Sequence, residues 1–468
     1  MNTASTRPAA LFTQALDALR APWFPAAAPR IAVALSGGLD SMVLLHLAAV
    51  HARSHGQTLF AFHVHHGLSP NADAWRDHCE GSAASLGIAF DSRDVVVEKG
   101  KTGIEAAARA ARYGALGAMC RAHGVQLLLT AHHQDDQAET VLLQLLRGSG
   151  ASGLSGMDSA NRAPGLLGDD TLVMARPLLA LARTELEEYA KAQGIAWVED
   201  ESNADPRFAR NALRHQVMPV LAQAFPGFQH RVARSSLHVQ SAQRLLDELA
   251  TEDLAACLDG DGLDLARLRA MSTDRVNNLL RHWFTVRRLA MPSTALLAQM
   301  VMQVLTARDD AQPLVSHPEC EVRRHRDRLY LVPRLPELAG MRDPDDEGVI
   351  EKYAQGFRWS GEGSIAFPDY GGVLHFDAAQ HGFDAAWLRA QALEIDFRKG
   401  GERLKPAPNR PTRSLKQLFQ ASGVPAWERT RLPVVGNGYS LLFAAGLGMD
   451  CRHLGDGLDR IALRWQAT

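Results

Sequence analysis

The chain has 468 residues, which exceeds one ordinary domain, so we expect two or three domains. Hydrophobic residues make up 46%, charged residues 22%, and the formal net charge is −2. These values are typical of a soluble globular protein and carry no overall nucleic-acid-binding signature. The 5 cysteines form no C-x-x-C pair, which argues against a disulfide framework and against zinc or iron–sulfur sites. No apolar run approaches the roughly 20 residues that cross a bilayer, so we predict a cytoplasmic protein.

The first half of the chain alternates short apolar runs with segments of helical spacing. The predicted strands are residues 31–35, 59–64, 94–97, 125–131 and 172–175. The predicted helices are residues 1–21, 41–53, 74–86, 104–123, 137–146 and 183–193. Repeated β–α units indicate an α/β fold with a doubly wound parallel sheet. Ligands bind to such sheets beyond the carboxyl ends of the strands.

The pattern changes near Pro219, where helical spacing continues without convincing strands. We predict a catalytic domain over residues 1–216, an all-α domain over 217–333 and a small α+β domain over 334–468. The last domain contains a basic segment, residues 398–431. Its basic residues are Arg398, Lys399, Arg403, Lys405, Arg410, Arg413, Lys416, Arg429 and Arg431. Such a patch can bind phosphates even when the chain as a whole is nearly neutral. The alternative is that these residues form an ordinary solvated surface.

A glycine-containing loop, SGGLDS at residues 36–41, follows the first predicted strand and precedes a helix. Gly37 and Gly38 permit a sharp turn, and the exposed amides at the helix N-terminus predict an anion site. Ser36 and Ser41 add hydroxyl groups, and Leu39 completes the loop. Asp40 would repel phosphate on its own, so its presence indicates a bound Mg²⁺. The loop is neither a Walker A sequence nor G-x-G-x-x-G.

SGGLDS resembles the SGG-x-DS signature of the PP-loop ATP pyrophosphatases. Members of that superfamily cleave ATP between the α and β phosphates and transfer AMP to a substrate oxygen. The resemblance implies this reaction, with ATP and Mg²⁺ as cofactors and residues 36–41 as the ATP-binding loop. It leaves the substrate open.

A second polar stretch, TAHHQDDQAET at residues 130–140, follows the fourth predicted strand. Asp135 and Asp136 lie four and three residues before Glu139, so a helix would bring these carboxylates to one face. The stretch has three interpretations on its own residues. The first is a solvated acidic helix start that the helix dipole favours. The second is a metal centre that also uses His132 and His133, and the third is a pocket for a cationic amino acid.

The same stretch resembles the signature of the tRNA(Ile)-lysidine synthases. Further blocks agree in order: AARAARY at 107–113, RGSG at 147–150, GLSGM at 153–157, RPLL at 176–179, WVEDESN at 197–203, RNALR at 210–214 and Pro219. The match spans about residues 31–220. One stretch, VHHGLS at 64–69, differs from the family pattern. Many members have Asp or Asn in place of His65 and Arg in place of Ser69. These two residues cannot inherit the family's roles.

The resemblance implies a reaction in two steps. The O2 atom of the wobble cytidine in a CAU-anticodon tRNA(Ile) attacks the α-phosphate of ATP and releases pyrophosphate. The ε-amine of free L-lysine then attacks C2 of the base and releases AMP. The helical domain and the basic segment are expected to contact the tRNA body. The sequence does not determine the oligomeric state and is compatible with a homodimer.

The resemblance also implies roles for individual residues. Arg112 is expected to stabilise charge at the α-phosphate. An acid beside the reacting ε-amine would oppose its deprotonation, so we expect Asp136 and Glu139 to hold the α-ammonium of lysine or anchor its chain. Arg210 would then bind the α-carboxylate, while His133 contacts phosphate or relays a proton.

Four other functions compete with this interpretation. A tRNA thiolase of the same superfamily would generally need paired or catalytic cysteines. A small-molecule amidating synthetase would have no use for the basic segment. A metal-dependent phosphohydrolase would use the His/Asp cluster, and a non-catalytic tRNA-binding protein would retain only the nucleotide fold.

Overall fold

The structure, a computed structural model, describes residues 3–467 except 26–27, 68, 97–103, 200–208, 308–312, 335–353, 456 and 458. The chain forms two compact units, Met1–Asp247 and Glu248–Thr468. No helix in these described ranges is long and apolar enough to span a membrane.

The first unit contains a six-stranded sheet. Its strands are β1 Ile31–Ala34, β2 Leu59–His65, β3 Ala89–Asp94, β4 Leu127–Leu129, β5 Ala160–Arg162 and β6 Val173–Ala175. They lie in the order β3-β2-β1-β4-β6-β5, and every pair is parallel except β5–β6. The predicted doubly wound sheet is confirmed.

The position predicted for the third strand, residues 94–97, is wrong. The strand is β3, which ends at Asp94, and Val96 just beyond it is 87% exposed. β3 is an edge strand with a half-exposed face, so its burial does not require an apolar run. The apolar residues 95–97 therefore misled the prediction.

The helices of this part of the chain lie on the two faces of the sheet or pack against one another beyond it. They are α1 Thr3–Trp23, α2 Leu39–His55, α3 Ala72–Ser85, α4 Ile104–Ala122, α5 Gln134–Leu146, α6 Ala151–Leu154, α7 Pro164–Leu167, α8 Arg183–Gln193, α9 Ala209–Ala212, a π-helix Leu213–Val217, α10 Met218–Ala224 and α11 Phe228–Cys257. Ile31 and Val33 of β1 pack in one apolar cluster with α1, α2 and α8. Ala32 faces the opposite cluster, formed with α4 and α7. Both faces are thus buried, as a parallel sheet requires.

The middle of the chain is rich in helices, namely α12 Leu265–Arg269, α13 Thr273–Val286 and α14 Thr294–Thr306. It also contains a five-stranded antiparallel sheet, so the prediction of a purely α-helical segment over 217–333 needs correction. The strands are β7 Leu258–Asp259, β8 Gly262–Asp264, β9 Leu314–Ser316, β10 Cys320–His325 and β11 Arg328–Pro333, in the order β7-β8-β11-β10-β9. In β10 the buried face carries Arg324, 2% exposed, which donates to the carbonyl of Ala307. A charged residue on the inner face hides the alternation of apolar and polar residues that marks a strand.

The last part of the chain is built from small antiparallel sheets and short helices, as predicted. One sheet contains β12 Gln355–Phe357, β15 Leu393–Phe397, β18 Pro433–Gly436, β19 Leu441–Ala444 and β20 Gly448–Met449. A second contains β13 Ser364–Phe367, β14 Gly372–Asp384 and β21 Arg460–Ala467, and β16 Arg403–Leu404 pairs with β17 Arg413–Ser414. The helices are α15 Ala385–Ala390, α16 Leu415–Ala421 and α17 Ala426–Arg429, with single 3₁₀ turns at Pro368–Tyr370 and Cys451–His453.

Candidate active site

The sheet order identifies one crevice in the first unit. β1 and β4 are neighbours, yet the chain continues from β1 to β2 on one side and from β4 to β6 on the other. Doubly wound sheets bind ligands at such a switch point, outside the carboxyl ends of the two strands. SGGLDS follows β1 and TAHHQDDQAET follows β4. The topology therefore brings together two motifs that are about 90 residues apart in sequence.

The phosphate loop has a backbone that only glycine suits at one position. Gly37 has φ +86°, and a Cβ atom there would lie 3.0 Å from Cγ2 of Val198 and 3.2 Å from Sγ of Cys79. The Ser41 hydroxyl donates to the Gly38 carbonyl at 2.9 Å, so it fixes the turn rather than facing a ligand. Gly38 is the N-cap of α2 and has no capping side chain. The amides of the first turn of α2 therefore remain available to an anion.

Asp40 lies in that first turn and faces inward. Its Oδ2 atom is 3.6 Å from Nε2 of His133. Its Oδ1 atom is buried and has no hydrogen-bond partner in the described part of the chain. A buried carboxylate oxygen without a partner is costly, so this atom fits a role as a ligand for a hard cation.

His133 connects the phosphate loop to α5. It is the N-cap of α5, is 2% exposed, and its Nε2 lies 3.4 Å from Oδ2 of Asp136. Burial lowers the pKa of His133, but the carboxylates of Asp40, Asp136 and Asp135 outweigh it and raise the pKa above its ordinary value. This environment therefore favours the protonated form of the imidazole beside the loop.

The two adjacent aspartates of the motif have different partners. Oδ2 of Asp135 accepts a hydrogen bond from the backbone amide of Arg183 at 2.9 Å. Arg183 is the first residue of α8, whose N-cap is Ala182 and offers no side-chain acceptor. Asp135 therefore caps α8 from outside that helix, which is a structural task.

Asp136 and Glu139 are bound to two arginines. Arg210 donates to Oε2 of Glu139 at 2.8 Å and to Oδ1 of Asp136 at 2.9 Å. Arg214 donates to both oxygens of Glu139, at 2.6 and 2.8 Å. Glu139 is 1% exposed, so the interpretation as a solvated helix start is wrong. The four side chains together carry no net formal charge, and the structure forms a paired network rather than an open acidic niche.

Arg214 was missed at the level of sequence. The available signal was its spacing of four residues from Arg210, which brings two side chains to one helical face. Arg214 lies in the π-helix, a geometry that often occurs at functional sites. Within the described ranges, no three His, Cys, Asp or Glu side chains are arranged to hold a metal ion, so the transition-metal interpretation has no geometric support.

A cavity of about 220 Å³ opens beside this network. It is lined by His133, Asp135, Glu139, Arg183, Arg214, Met218, Pro219, Ala222 and Gln229. The wall thus combines acids, guanidinium groups and apolar surface. That combination suits a small molecule with both charges and an aliphatic chain.

Arg112 reaches the same region from α4. Its guanidinium lies 5.5 Å from the centre of the Tyr113 ring, and that of Arg109 lies 4.8 Å from the same ring. Arg112 keeps exposed surface at the rim of a crowded site. Desolvation, Arg109 and Arg210 lower its pKa, although Tyr113 opposes them. Residues 200–203 of the WVEDESN block lie outside the described residues.

Gln137 holds the glycine-rich loop that follows α5. It is 4% exposed, donates to the carbonyl of Met157 at 3.0 Å and accepts from the amide of Met157 at 2.7 Å. Gln240 of α11 donates to the carbonyl of Ser155 at 2.8 Å. A Cβ atom at Gly156, where φ is +66°, would lie 2.8 Å from the Gln137 amide. Packing explains both the glutamine and the glycine of these motifs.

We expect Gln137→Leu to lower the free energy of unfolding by about 1–3 kcal/mol, because the Met157 amide loses its acceptor, while the Met157 carbonyl keeps only the hydrogen bond from Gln240 at 3.1 Å. Urea unfolding of the purified protein measures this change. Gln223→Leu, an exposed glutamine of α10, is the matched control. Equal stability of the two variants would contradict the assignment.

The basic segment spans β16, β17, α16 and α17 in the second unit. Lys399 pairs with Asp396, and Arg403 donates to the carbonyl of Thr412. Arg398 is half-buried and Lys405 half-buried. Arg410, Arg413 and Lys416 are exposed and form no ion pair with any residue that the structure describes. These three charges are therefore available to a polyanion.

The fold and the loop define a PP-loop ATP-binding domain, and a family model described as the PP-loop domain matches residues 9–221. Two further models match, the TilS substrate binding domain at residues 263–330 and the TilS substrate C-terminal domain at residues 393–465. A tRNA(Ile)-lysidine synthase of Burkholderia pseudomallei is 44% identical, with 92% of this chain and 91% of the relative covered. That of Ralstonia nicotianae is 43% identical, with coverage of 90% and 89%. The chain belongs to the tRNA(Ile)-lysidine synthase family and is a ligase of tRNA modification that uses ATP.

Solved structures match less closely. A U34-tRNA thiolase NcsA from Methanococcus maripaludis has a TM-score of 0.39 at 15% identity, covering 49% of this chain and 80% of that one. A TilS C-terminal domain has a TM-score of 0.21 at 20% identity, covering 25% of this chain and 98% of the other.

Proposed function

We propose that the enzyme joins free L-lysine to C2 of the wobble cytidine in a CAU-anticodon tRNA(Ile). In the first step a bond forms between O2 of the base and the α-phosphorus of ATP, and pyrophosphate leaves. In the second, the lysine ε-nitrogen bonds to C2, and the C2–O2 bond breaks to release AMP. The observation that carries the proposal is the Asp40–His133–Asp136 connection, which joins the phosphate loop to the paired network and its cavity.

The triphosphate would lie on the amides of residues 37–41 at the N-terminus of α2. Asp40, with its buried unpartnered Oδ1, would hold Mg²⁺, which neutralises phosphate charge when bound. Arg112 would stabilise the charge that develops at the α-phosphate, and the positively charged His133 would contact the same phosphate. On this proposal the phosphate charge is neutralised without a lysine in the loop.

Lysine would enter the cavity beside Glu139. Its α-ammonium would bind the carboxylates of Asp136 and Glu139, and its α-carboxylate would bind the Arg210 guanidinium that this exchange releases. One ion pair within the protein is then replaced by two ion pairs between the protein and lysine. The four side chains and the α-ammonium and α-carboxylate groups of lysine are therefore all paired. The ε-amine would lie away from the acids, where it loses its proton more readily.

The tRNA would contact the helical segment 217–333 and the segment 334–468, which we propose as separate domains beside the catalytic residues 1–216. Splayed bases of an anticodon loop suit entry to the crevice. The exposed Arg410, Arg413 and Lys416 would neutralise phosphates of the tRNA body.

We expect the triple variant Arg410→Gln, Arg413→Gln, Lys416→Gln to bind tRNA more weakly and to reduce the slope of log K against log salt by about 2–3, because each lost phosphate contact reduces it by about 0.7–0.9. Filter binding at several salt concentrations measures both quantities. Arg93→Gln removes one exposed charge of β3 and should leave the slope unchanged. An unaltered slope in the triple variant would exclude this surface.

Incubation with ATP, labelled lysine and a tRNA(Ile) transcript tests the whole proposal. Label should enter the tRNA with stoichiometric release of pyrophosphate and AMP, and a methionine tRNA transcript with the same anticodon should stay unlabelled. Asp40→Asn should abolish pyrophosphate release. Label-free tRNA with ATP hydrolysis would refute the proposal, since a phosphohydrolase or a thiolase would give that outcome.

A further inference from the structure

The histidine before His133 has a defined protonation pattern of its own. Nδ1 of His132 lies 3.0 Å from Oγ1 of Thr130, a residue that is 4% exposed. The same hydroxyl lies 3.3 Å from the carbonyl oxygen of Ala175 in β6. A carbonyl only accepts, so the hydroxyl proton points to Ala175 and the hydroxyl oxygen accepts from Nδ1–H. The ring then has an unprotonated Nε2.

The surroundings keep this ring neutral. Burial lowers the pKa of His132 to about 3, aided by the charges of Arg176, Arg210 and Arg109, although Asp136 opposes them. His133, one residue further, has its pKa raised by three carboxylates. The two neighbouring histidines therefore have opposite pKa shifts, and the environment of His132 favours its neutral form, which presents a lone pair at Nε2.

The lone pair on Nε2 can do one of two things. As a general base it would take a proton from the lysine ε-ammonium, whose unperturbed pKa is near 10.4, but a base this weak is poorly matched to that transfer. As a hydrogen-bond acceptor it needs only an N–H donor. Nε2 has no partner among the described residues, and the neighbouring arginines oppose its protonation.

We propose that Nε2 of His132 accepts a hydrogen bond from the exocyclic 4-amino group of the target cytosine and makes the enzyme select cytosine over uracil. The inference rests on the proposed function. Cytosine and uracil both carry the O2 atom that attacks ATP, so their discrimination must lie elsewhere on the ring. Uracil presents a carbonyl oxygen at position 4, which would leave two lone pairs facing each other. A site built around a substrate N–H rejects an analogue that lacks it.

His132 is on the correct side of the site for this task. It follows β4, and SGGLDS follows β1, its neighbour in the sheet. In cytosine O2 and the 4-amino group lie on the same Watson–Crick edge, on either side of N3, so a base whose O2 faces the phosphate loop would present its amino group to a neighbouring position at the switch point. His132 is half-buried there, so it is accessible to a base that leaves its stack.

The test uses the full-length enzyme, ATP and anticodon stem-loop RNAs without lysine, and measures the single-turnover rate of pyrophosphate release. The wobble base is cytosine, uracil or pyrimidin-2-one, which is cytosine without its amino group. For wild type we expect removal of the amino group to slow the reaction about 10-fold to 100-fold, as loss of one buried hydrogen bond does. For His132→Ala the cytosine rate should fall similarly, and the ratio of the cytosine rate to the pyrimidin-2-one rate should fall about 10-fold below the wild-type ratio, to the part that reflects the weaker O2 nucleophile alone.

Two further variants test the same hydrogen bond. His132→Gln retains an acceptor oxygen and should keep most of the preference for cytosine. Thr130→Val removes the group that fixes the tautomer and should reduce that preference without abolishing it. If His132→Ala slows cytosine and pyrimidin-2-one equally, so that their ratio stays at the wild-type value, His132 has a structural role and the inference fails. If wild type releases no pyrophosphate with cytosine RNA, the proposed function itself fails.

Discussion

Replacing Glu139 by glutamine is expected to raise the KM for lysine about 100-fold. Glu139 is 1% exposed, and its two oxygens accept three hydrogen bonds from Arg210 and Arg214. A neutral amide cannot hold an ammonium group with the same strength, and loss of charge-assisted hydrogen bonds costs on the order of 3 kcal/mol. Incorporation of labelled lysine into tRNA(Ile) at varied lysine concentration measures the change.

The same substitution should also lower the free energy of unfolding. It removes one of the two negative charges that balance two guanidinium groups, which costs about 3–5 kcal/mol when the partner is fully buried. Arg210 and Arg214 are 32% and 33% exposed, so we expect about 1–3 kcal/mol after allowance for solvent screening. Urea unfolding measures it, and Glu188→Gln, an exposed acid of α8, is the control. A Glu139→Gln enzyme with unchanged KM for lysine would show that the cavity is not the lysine site.

Replacing Gly37 by alanine is expected to weaken ATP binding at least about 10-fold and to lower the free energy of unfolding by about 2–4 kcal/mol. At φ +86° a residue with a Cβ pays roughly 1–2 kcal/mol in backbone strain. The added methyl group also lies 3.0 Å from Val198 and 3.2 Å from Cys79, and such overpacking costs about 1–3 kcal/mol. Calorimetric titration with ATP and urea unfolding measure the two effects.

Gly38→Ala is the matched stability control. Gly38 has φ −74°, and its added Cβ would meet its nearest neighbour, Oγ of Ser36, only at 3.7 Å. Both variants add one methyl group to the same loop, so their difference isolates strain and crowding at Gly37. Equal stability of the two would mean that the loop relaxes around the substitution.

Sequence periodicity was sufficient for the parallel sheet and its helices because buried strands such as β1 and β4 consist of apolar residues. It failed at β3 and β10. β3 has a half-exposed edge position, and β10 buries Arg324 by means of a backbone carbonyl rather than an apolar face. Neither an edge position in the sheet nor a partner 17 residues away is contained in a local sequence window, so the apolar pattern did not locate these strands.

The candidate site shows the same difference between features that nearby residues determine and features that distant residues determine. The order of motifs and the glycines at 36–41 predicted the phosphate loop, because a turn before a helix N-terminus is a local property. The partners of the acidic residues were not local: Arg214 lies 75 residues beyond Glu139, and Arg183 lies 48 beyond Asp135. The sequence therefore predicted an open acidic pocket at Asp136 and Glu139, whereas in the folded chain these carboxylates form ion pairs with arginines.

The sequence by itself determined the family, the α/β class of the catalytic part and the position of the glycine-containing loop at residues 36–41, because all of these follow from ordered motifs and local backbone chemistry. The tertiary structure alone decided the opposite pKa shifts of the two neighbouring histidines. His132 and His133 are adjacent and chemically identical. Their pKa values diverge because burial, aided by Arg176, Arg210 and Arg109, lowers that of His132, whereas the carboxylates of Asp40, Asp136 and Asp135 raise that of His133.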